Sequence, residues 1–176
     1  MMDMLKTILH RRSVRQYTAE EIPEDKLNTI LYAGLAAASS KNRRPWEFIV
    51  VQDQDVLTKL SDCRPGAANL LNHCNAAIVV AANSELVDVW VEDCASAITQ
   101  MHLMADALNI GSCWLQIRLR QTPDGSRSAE TVVKELLDIP EPFSVMAILV
   151  LGIPASHPGA RQVDELLFEK IHHERF

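Results

Sequence analysis

The 176-residue chain is short of glycine, of aromatic side chains and of long apolar runs, and each shortage removes a class of function. Its six glycines, at 34, 66, 111, 125, 152 and 159, form neither G-x-G-x-x-G nor G-x-x-x-x-G-K-[ST], so the glycine-rich phosphate cradles of Rossmann and P-loop proteins are absent. The longest apolar stretches, "AAIVVAA" (76–82) and "VMAILVLGIP" (145–154), are too short to span a bilayer as a helix. The opening "MMDMLKTILH" lacks the apolar run and cleavage site of a signal peptide, so a cytoplasmic protein working away from membranes is expected. The four cysteines, Cys63, Cys74, Cys94 and Cys113, show no C-x-x-C spacing and sit among apolar residues, as reduced core thiols do. There is no G-x-S-x-G elbow and no H-E-x-x-H. His102 and Cys94 lie eight residues apart without further ligands nearby, which favours a satisfied core or boundary histidine over a metal site. No side chain stands out as a catalytic acid, base or nucleophile.

Basic residues are also outnumbered, 17 Lys and Arg against 23 Asp and Glu, for a net charge of −6. Nucleic-acid binders spread positive charge over a face to displace counterions, so this balance argues against a nucleic-acid partner. With 48% hydrophobic residues, the chain has enough apolar side chain for the core of one domain covering 1–176.

The apolar pattern divides the chain into alternating elements. Met4, Leu5, Ile8 and Leu9 have the spacing of a short helix, and Leu27, Ile30, Leu31 and Leu35 continue a second helical stripe after Pro23. "WEFIVVQ" (46–52), "AAIVVAAN" (76–83), "SCWLQI" (112–117) and "SVMAILVLG" (144–152) read as buried strands. Short helices are expected at 55–62 and 66–73, a long one at 91–109, and an amphipathic one at 129–138. Nearly continuous apolar strands alternating with helices predict a sheet covered on both faces, in the α/β or α+β class. The closing "DELLFEKIHHERF" carries Leu166, Leu167, Phe168 and Ile171, which are too apolar to stand in solvent and must dock on another surface.

Six of the 17 basic residues fall in two windows, "RRSVR" (11–15) and "KNRR" (41–44), each in a loop beside a helix end. Arginine forks, a serine hydroxyl and backbone N–H groups suit a phosphomonoester, whereas a solvated surface is the plainer account from composition alone. The second window follows "AAASS" (36–40), whose small side chains let a flat ligand approach the backbone, with Ser39, Ser40 and Asn42 as hydrogen-bonding groups. A phosphate site and a flat-ring site together point to a flavin nucleotide.

Four segments, "RRSVRQY", "AAASSKNRRPWEFIVV", "ALNIGSCWLQI" and "LGIPASHPGARQVDELLFEKIHHERF", resemble in order and spacing the FMN-dependent nitroreductase family, and the likeness runs along essentially the whole chain. The resemblance implies an α+β fold with a central, mostly antiparallel sheet flanked by helices. It also implies an intertwined homodimer with two FMN molecules at the interface, onto which the C-terminal tail docks. Carried over residue by residue, Arg11, Arg12, Ser13 and Arg15 would hold the FMN phosphate and ribityl chain, with Arg15 also a candidate for the pyrimidine edge. Ser39, Ser40 and Asn42 would come from the other subunit. Leu115, Gln116 and Ile117 would offer backbone groups near the flavin N5 edge, and Arg161 would return to the phosphate. Asn69 corresponds to a family asparagine near the ring, with its register open.

The implied reaction takes hydride from NADH or NADPH and passes electrons to a nitroaromatic, quinone or similar small acceptor by a ping-pong route. Reductive dehalogenation, flavin modification and a flavin-binding or redox-sensing role with little turnover stand as alternatives. Two features depart from the family pattern. Arg44 replaces the usual glutamine before Pro45-Trp46, and the short 83–91 segment leaves little room for helices that would roof the pocket.

Overall fold

A computed structural model describes residues 4–176. Four strands, β1 (Trp46–Val51), β2 (Ala76–Asn83), β3 (Gly111–Gln116) and β4 (Phe143–Gly152), form one sheet in the order β1-β2-β4-β3, and every neighbouring pair is antiparallel. The central strands β2 and β4 are buried almost throughout, which explains why their sequences read as unbroken apolar runs rather than alternating ones.

Successive side chains of a strand point to opposite faces, so β2 feeds two cores. Ile78, Val80 and Ala82 pack with Leu27 and Ile30 of α2 (Glu24–Leu35) and with Ile98 and Met101 of α5 (Trp90–Ala107). Ala77, Val79 and Ala81 pack with Leu57 and Leu60 of α3 (Gln54–Leu60), Leu70 and Leu71 of α4 (Ala68–Leu71), and Val133 of α6 (Ala129–Leu136). The result is a three-layer α+β fold, with the sheet held between two helical layers. Asp53 and Ser128 cap α3 and α6 by accepting hydrogen bonds from first-turn N–H groups. The expected helix at 66–73 is shorter, reduced to Ala68–Leu71, because Pro65-Gly66 and Asn72 leave a single turn between them.

Two local features shape the end of the sheet. The register between β2 and β4 shifts at Val80/Ala81, making Met146 the extra residue of a bulge. The Met146 carbonyl accepts the N–H groups of both Ile117 and Arg118, which ends β3. At the other end Gly111 faces Gly152 across β3 and β4. A Cβ on Gly111 would come within 2.8 Å of Val14, and one on Gly152 within 2.6 Å of the Tyr17 ring, so this bare pair lets the segment after α1 (Met4–His10) lie flat across the sheet.

Among the described residues, the tail is anchored at its start. Tyr17 bridges Pro154, the Ala155 N–H donates to the Gln16 carbonyl, and the Arg161 N–H donates to the Leu9 carbonyl. Beyond that point Leu166, Leu167, Phe168 and Ile171 are exposed, as are Met4 and Ile8 on α1.

Candidate functional site

The last turn of α1 closes with Arg11 N–H donating to the Thr7 carbonyl, after which the chain runs extended over the start of β3. Ser13 forms an isolated parallel bridge with Ser112, and the Val14 N–H donates to the Ser112 carbonyl. That path presents Arg11, Arg12, Ser13 and Arg15 from one short segment.

Arg11 Nη1 lies 3.0 Å from His102 Nε2, and His102 Nδ1 lies 2.5 Å from Ser112 Oγ. Burial, then the neighbouring Arg11 charge, lowers His102 to about 4, against the opposing pull of Asp106. Arg11 is itself displaced below its ordinary range, first by burial and then by Arg161, with Arg12 adding to the repulsion. Arg11, partly buried and repelled by Arg161 and Arg12, is a guanidinium whose charge a bound anion would relieve. Arg12 Nη1 donates to the Gly159 carbonyl at 2.5 Å, which ties the cluster to the tail.

A second contact holds the same tail segment. The His10 and His157 rings stack at 4.2 Å, with Asp106 Oδ2 2.8 Å from His10 Nδ1 and Asp106 Oδ1 3.4 Å from His157 Nε2. The ligand atoms of these three residues lie within 4.8 Å of one another, close enough for a cation, although the adjacent Arg11 charge opposes one.

Beside the arginine cluster is a cavity of about 620 Å³ whose lining includes Arg15, Tyr17, Gly66, Asn69 and His73. Arg15 and Asn69, far apart in sequence, therefore face one space. The Tyr17 hydroxyl donates to the Val14 carbonyl, and burial pushes its phenol well up. Cys113 is buried next to this segment, and burial raises its thiol, so it has the character of a core residue.

The three residues at the end of β3 differ in what they present. Because Ser112 turns its carbonyl outward to Val14, residues two and four further along, Trp114 and Gln116, also turn their backbone groups to the open edge. Leu115 pairs with Ile148 of β4, the Ile117 N–H donates to the Met146 carbonyl of β4 while its carbonyl accepts from the Arg120 N–H, and both side chains are buried. The Gln116 carbonyl accepts from Arg64 Nη1, while its side chain accepts from Trp114 Nε1 and donates to the Arg118 carbonyl. Of the three, Gln116 is the one whose backbone N–H is directed outward.

The second basic window lies elsewhere. Ser40–Asn42 form a 3-10 turn, and Lys41, Asn42 and Arg44 all have positive φ. The Ser40 N–H donates to Asp93 Oδ1 in the first turn of α5, and Ser39 Oγ accepts from the Arg44 N–H. Asp93 Oδ2 is buried without a partner among the described residues. Asp93 and His102 are nine residues apart on α5, so they are separated by roughly 14 Å along the axis and point to opposite sides. One chain thus brings Arg11, Arg12 and Arg161 together, and Arg15 with Asn69, but holds Ser39, Ser40 and Asn42 apart from them.

The sequence matches the Nitroreductase family over residues 8–82 and 64–153. The chain belongs to the nitroreductase family. An Archaeoglobus fulgidus protein, provisionally named NADH dehydrogenase/NAD(P)H nitroreductase, is 35% identical over 181 residues, covering 100% of both chains. The solved structure of an FMN-dependent nitroreductase from Clostridium difficile R20291 is 38% identical, with a TM-score of 0.94 over 98% of this chain and 99% of that one. A provisionally assigned nitroreductase from Desulfovibrio desulfuricans, solved in complex with FMN, is 25% identical with a TM-score of 0.79, covering 100% of this chain and 99% of that one.

Within this nitroreductase-family fold, the sequence offered His102 as a satisfied core or boundary histidine without its partners, and it did not single out Ser112, Tyr17, His73 or Asp93. His102 and Ser112 hold Arg11, Tyr17 and His73 line the cavity, and Asp93 fixes the Ser40 loop. The one available signal was the i, i+4 spacing of His102 and Asp106, which puts both on one side of α5.

Proposed function

We propose that this chain is an FMN-dependent oxidoreductase that takes hydride from NADH or NADPH and reduces a small acceptor such as a nitroaromatic or a quinone. The observation that carries this reading is the convergence of Arg11, Arg12 and Arg161 next to a cavity lined by Arg15 and Asn69. The residues fit the cofactor in two respects: the partly buried Arg11, with the charges of Arg12 and Arg161 acting on it, suits a phosphate, and about 620 Å³ lies within the usual range for small-molecule pockets.

Arg11, Arg12 and Arg161 hold the phosphate, with Ser13 adding a hydroxyl. Arg15 and Asn69 face the ring end, and Gln116 offers an outward N–H at the edge of β3. Leu115 and Ile117 support that strand by packing. Bound FMN supplies hydride acceptance from the nicotinamide and onward electron delivery, which makes a two-stage, ping-pong sequence the expected kinetics. Arg15, which lines the cavity, would supply fixed positive charge to a cofactor that becomes more negative on reduction, a contribution that needs no proton transfer.

In this reading the whole chain acts as one domain, and the active species is a homodimer. Ser39, Ser40 and Asn42 lie at the far end of α5 from the arginine cluster, so they reach a cofactor there from a second copy. The exposed Met4, Ile8, Leu166, Leu167, Phe168 and Ile171 supply apolar surface for that association. Lys41, Arg43 and Arg44 then add positive charge at the mouth of the partner's site. No helix among the described residues is long and apolar enough to cross a membrane, in keeping with a cytoplasmic location.

The test is the visible spectrum of the purified protein with each donor. Bound oxidised flavin that bleaches on NADH or NADPH and recovers on adding a nitroaromatic or quinone is the expected result. Flavin that stays oxidised with both donors would remove the reductase assignment and leave a binding or sensing role.

A further inference from the structure

We propose that His102 is the positioning residue for Arg11: as a neutral imidazole held between Ser112 and Arg11, it fixes the guanidinium toward the bound anion, and taking up a proton releases it. The inference rests on the reading of Arg11 as a phosphate ligand.

A guanidinium has five N–H donors and no acceptor. With Arg11 Nη1 at 3.0 Å, His102 Nε2 must therefore offer its lone pair, which places the ring proton on Nδ1. Nδ1 lies 2.5 Å from Ser112 Oγ, so the hydroxyl oxygen accepts that proton and fixes both the tautomer and the ring plane. Ser112 also accepts the Val14 N–H through its carbonyl. One residue of β3 thus anchors the loop that carries Arg11 and the imidazole that orients it.

The arrangement serves a purpose that packing alone would not require. Arg11 is repelled by Arg161 and Arg12, so with only solvent as its partner its side chain would swing away from them. The neutral His102 acceptor holds it in place without neutralising it, leaving its charge for the anion. An acidic partner in the same position would satisfy Arg11 and compete with a phosphate.

Protonation reverses the effect. The Nε2 lone pair is lost, and a second positive charge appears next to Arg11. The charged groups acting on His102 are Arg11 from the loop after α1 and Asp106 on α5 itself. Asp106 in turn faces His10 at the end of α1 and His157 in the tail, while Arg11 faces Arg12 and Arg161. From α2, Lys26 Nζ donates to the Leu108 carbonyl at the end of α5. Asp106 favours a proton on His102, while burial and the Arg11 charge oppose it more strongly. The release therefore requires acid well below neutrality.

Equilibrium binding of FMN and of riboflavin, which lacks the phosphate, to the full-length protein separates positioning from mere support of the fold. His102→Leu should weaken FMN by about ten-fold or more while changing riboflavin by no more than about two-fold. His102→Gln should keep the FMN-over-riboflavin preference, because its amide can accept from Arg11 and donate to Ser112 without titrating. As pH falls through about 4, where half of His102 takes up a proton, the wild-type preference should drop about two-fold and further by about pH 3, and the glutamine variant should retain it apart from the ionisation of the phosphate common to both. An unchanged FMN-to-riboflavin ratio in His102→Leu, or the same acid loss in wild type and His102→Gln, would overturn the role of His102. A wild-type protein with no preference for FMN over riboflavin would instead overturn Arg11 as a phosphate ligand, and the proposal with it.

Discussion

Replacing His102 with glutamine should remove an acid-linked weakness from the fold itself, independently of any ligand. His102 is 7% exposed, and burial followed by the Arg11 charge lowers it from 6.5 to about 4. Well above pH 6.5 the imidazole is neutral in both folded and unfolded chains and contributes nothing to pH dependence. As pH falls from 6.5 toward 4, the unfolded chain takes up a proton that the folded chain resists, so the unfolded state binds more protons and stability falls. At about 1.36 kcal/mol for each pH step, the loss reaches about 2 kcal/mol near pH 5 and about 3 kcal/mol near pH 4, below which it grows no further.

Urea unfolding followed by tryptophan fluorescence, on flavin-free wild type and His102→Gln at about pH 7.5 and about pH 5, measures this directly. Carboxylates shared by both proteins cancel in the difference. The gap between the two unfolding free energies should move toward the variant by about 2 kcal/mol on acidification. Parallel losses, within about 0.5 kcal/mol, would show that His102 is not held neutral and would refute the tautomer assigned from its two contacts.

Three further outcomes follow from particular contacts. Arg15→Ala should weaken FMN binding about ten-fold and slow turnover, and unchanged flavin content in the purified variant would remove Arg15 from the site. Gly152→Ala would put a methyl group 2.6 Å from the Tyr17 ring and 2.8 Å from Asn75 Oδ1, costing about 1–3 kcal/mol, seen as a lower Tm and weaker flavin retention. A chain ending at Ala160 loses Arg161 together with Leu166, Leu167, Phe168 and Ile171. It should run as a monomer on gel filtration and retain little flavin, and a flavin-loaded dimer would refute the assigned role of the tail.

The four strands and α5 were legible from sequence because burial on both faces of a central strand, or along one stripe of a long helix, leaves a local apolar record. Ile78 to Ala82 carry that record in consecutive residues, and Cys94, Ala97, Ile98, Met101 and Ala105 carry it at a spacing of three and four. The one-turn α4 was overestimated, since Pro65-Gly66 limits it more than its apolar content suggests. The basic windows were visible as concentrations of charge, yet composition could not tell a binding cluster from a solvated surface.

By itself, the sequence determined the strands, the long helix, the absence of glycine-rich cradles and the family motifs, because each is written in neighbouring residues. Tertiary structure alone decided that Arg161 is tied to the Leu9 carbonyl with its charge acting on Arg11, that Arg15 shares a cavity with Asn69, and that Ser40 lies at the opposite end of α5. It also decided that Gly111 faces Gly152 and that a bulge at Met146 ends β3 beside Gln116. The physical reason is range: an apolar period is set by local backbone geometry, whereas a charge cluster, a bare glycine pair or a histidine tautomer depends on atoms that only the folded chain brings within a few ångströms.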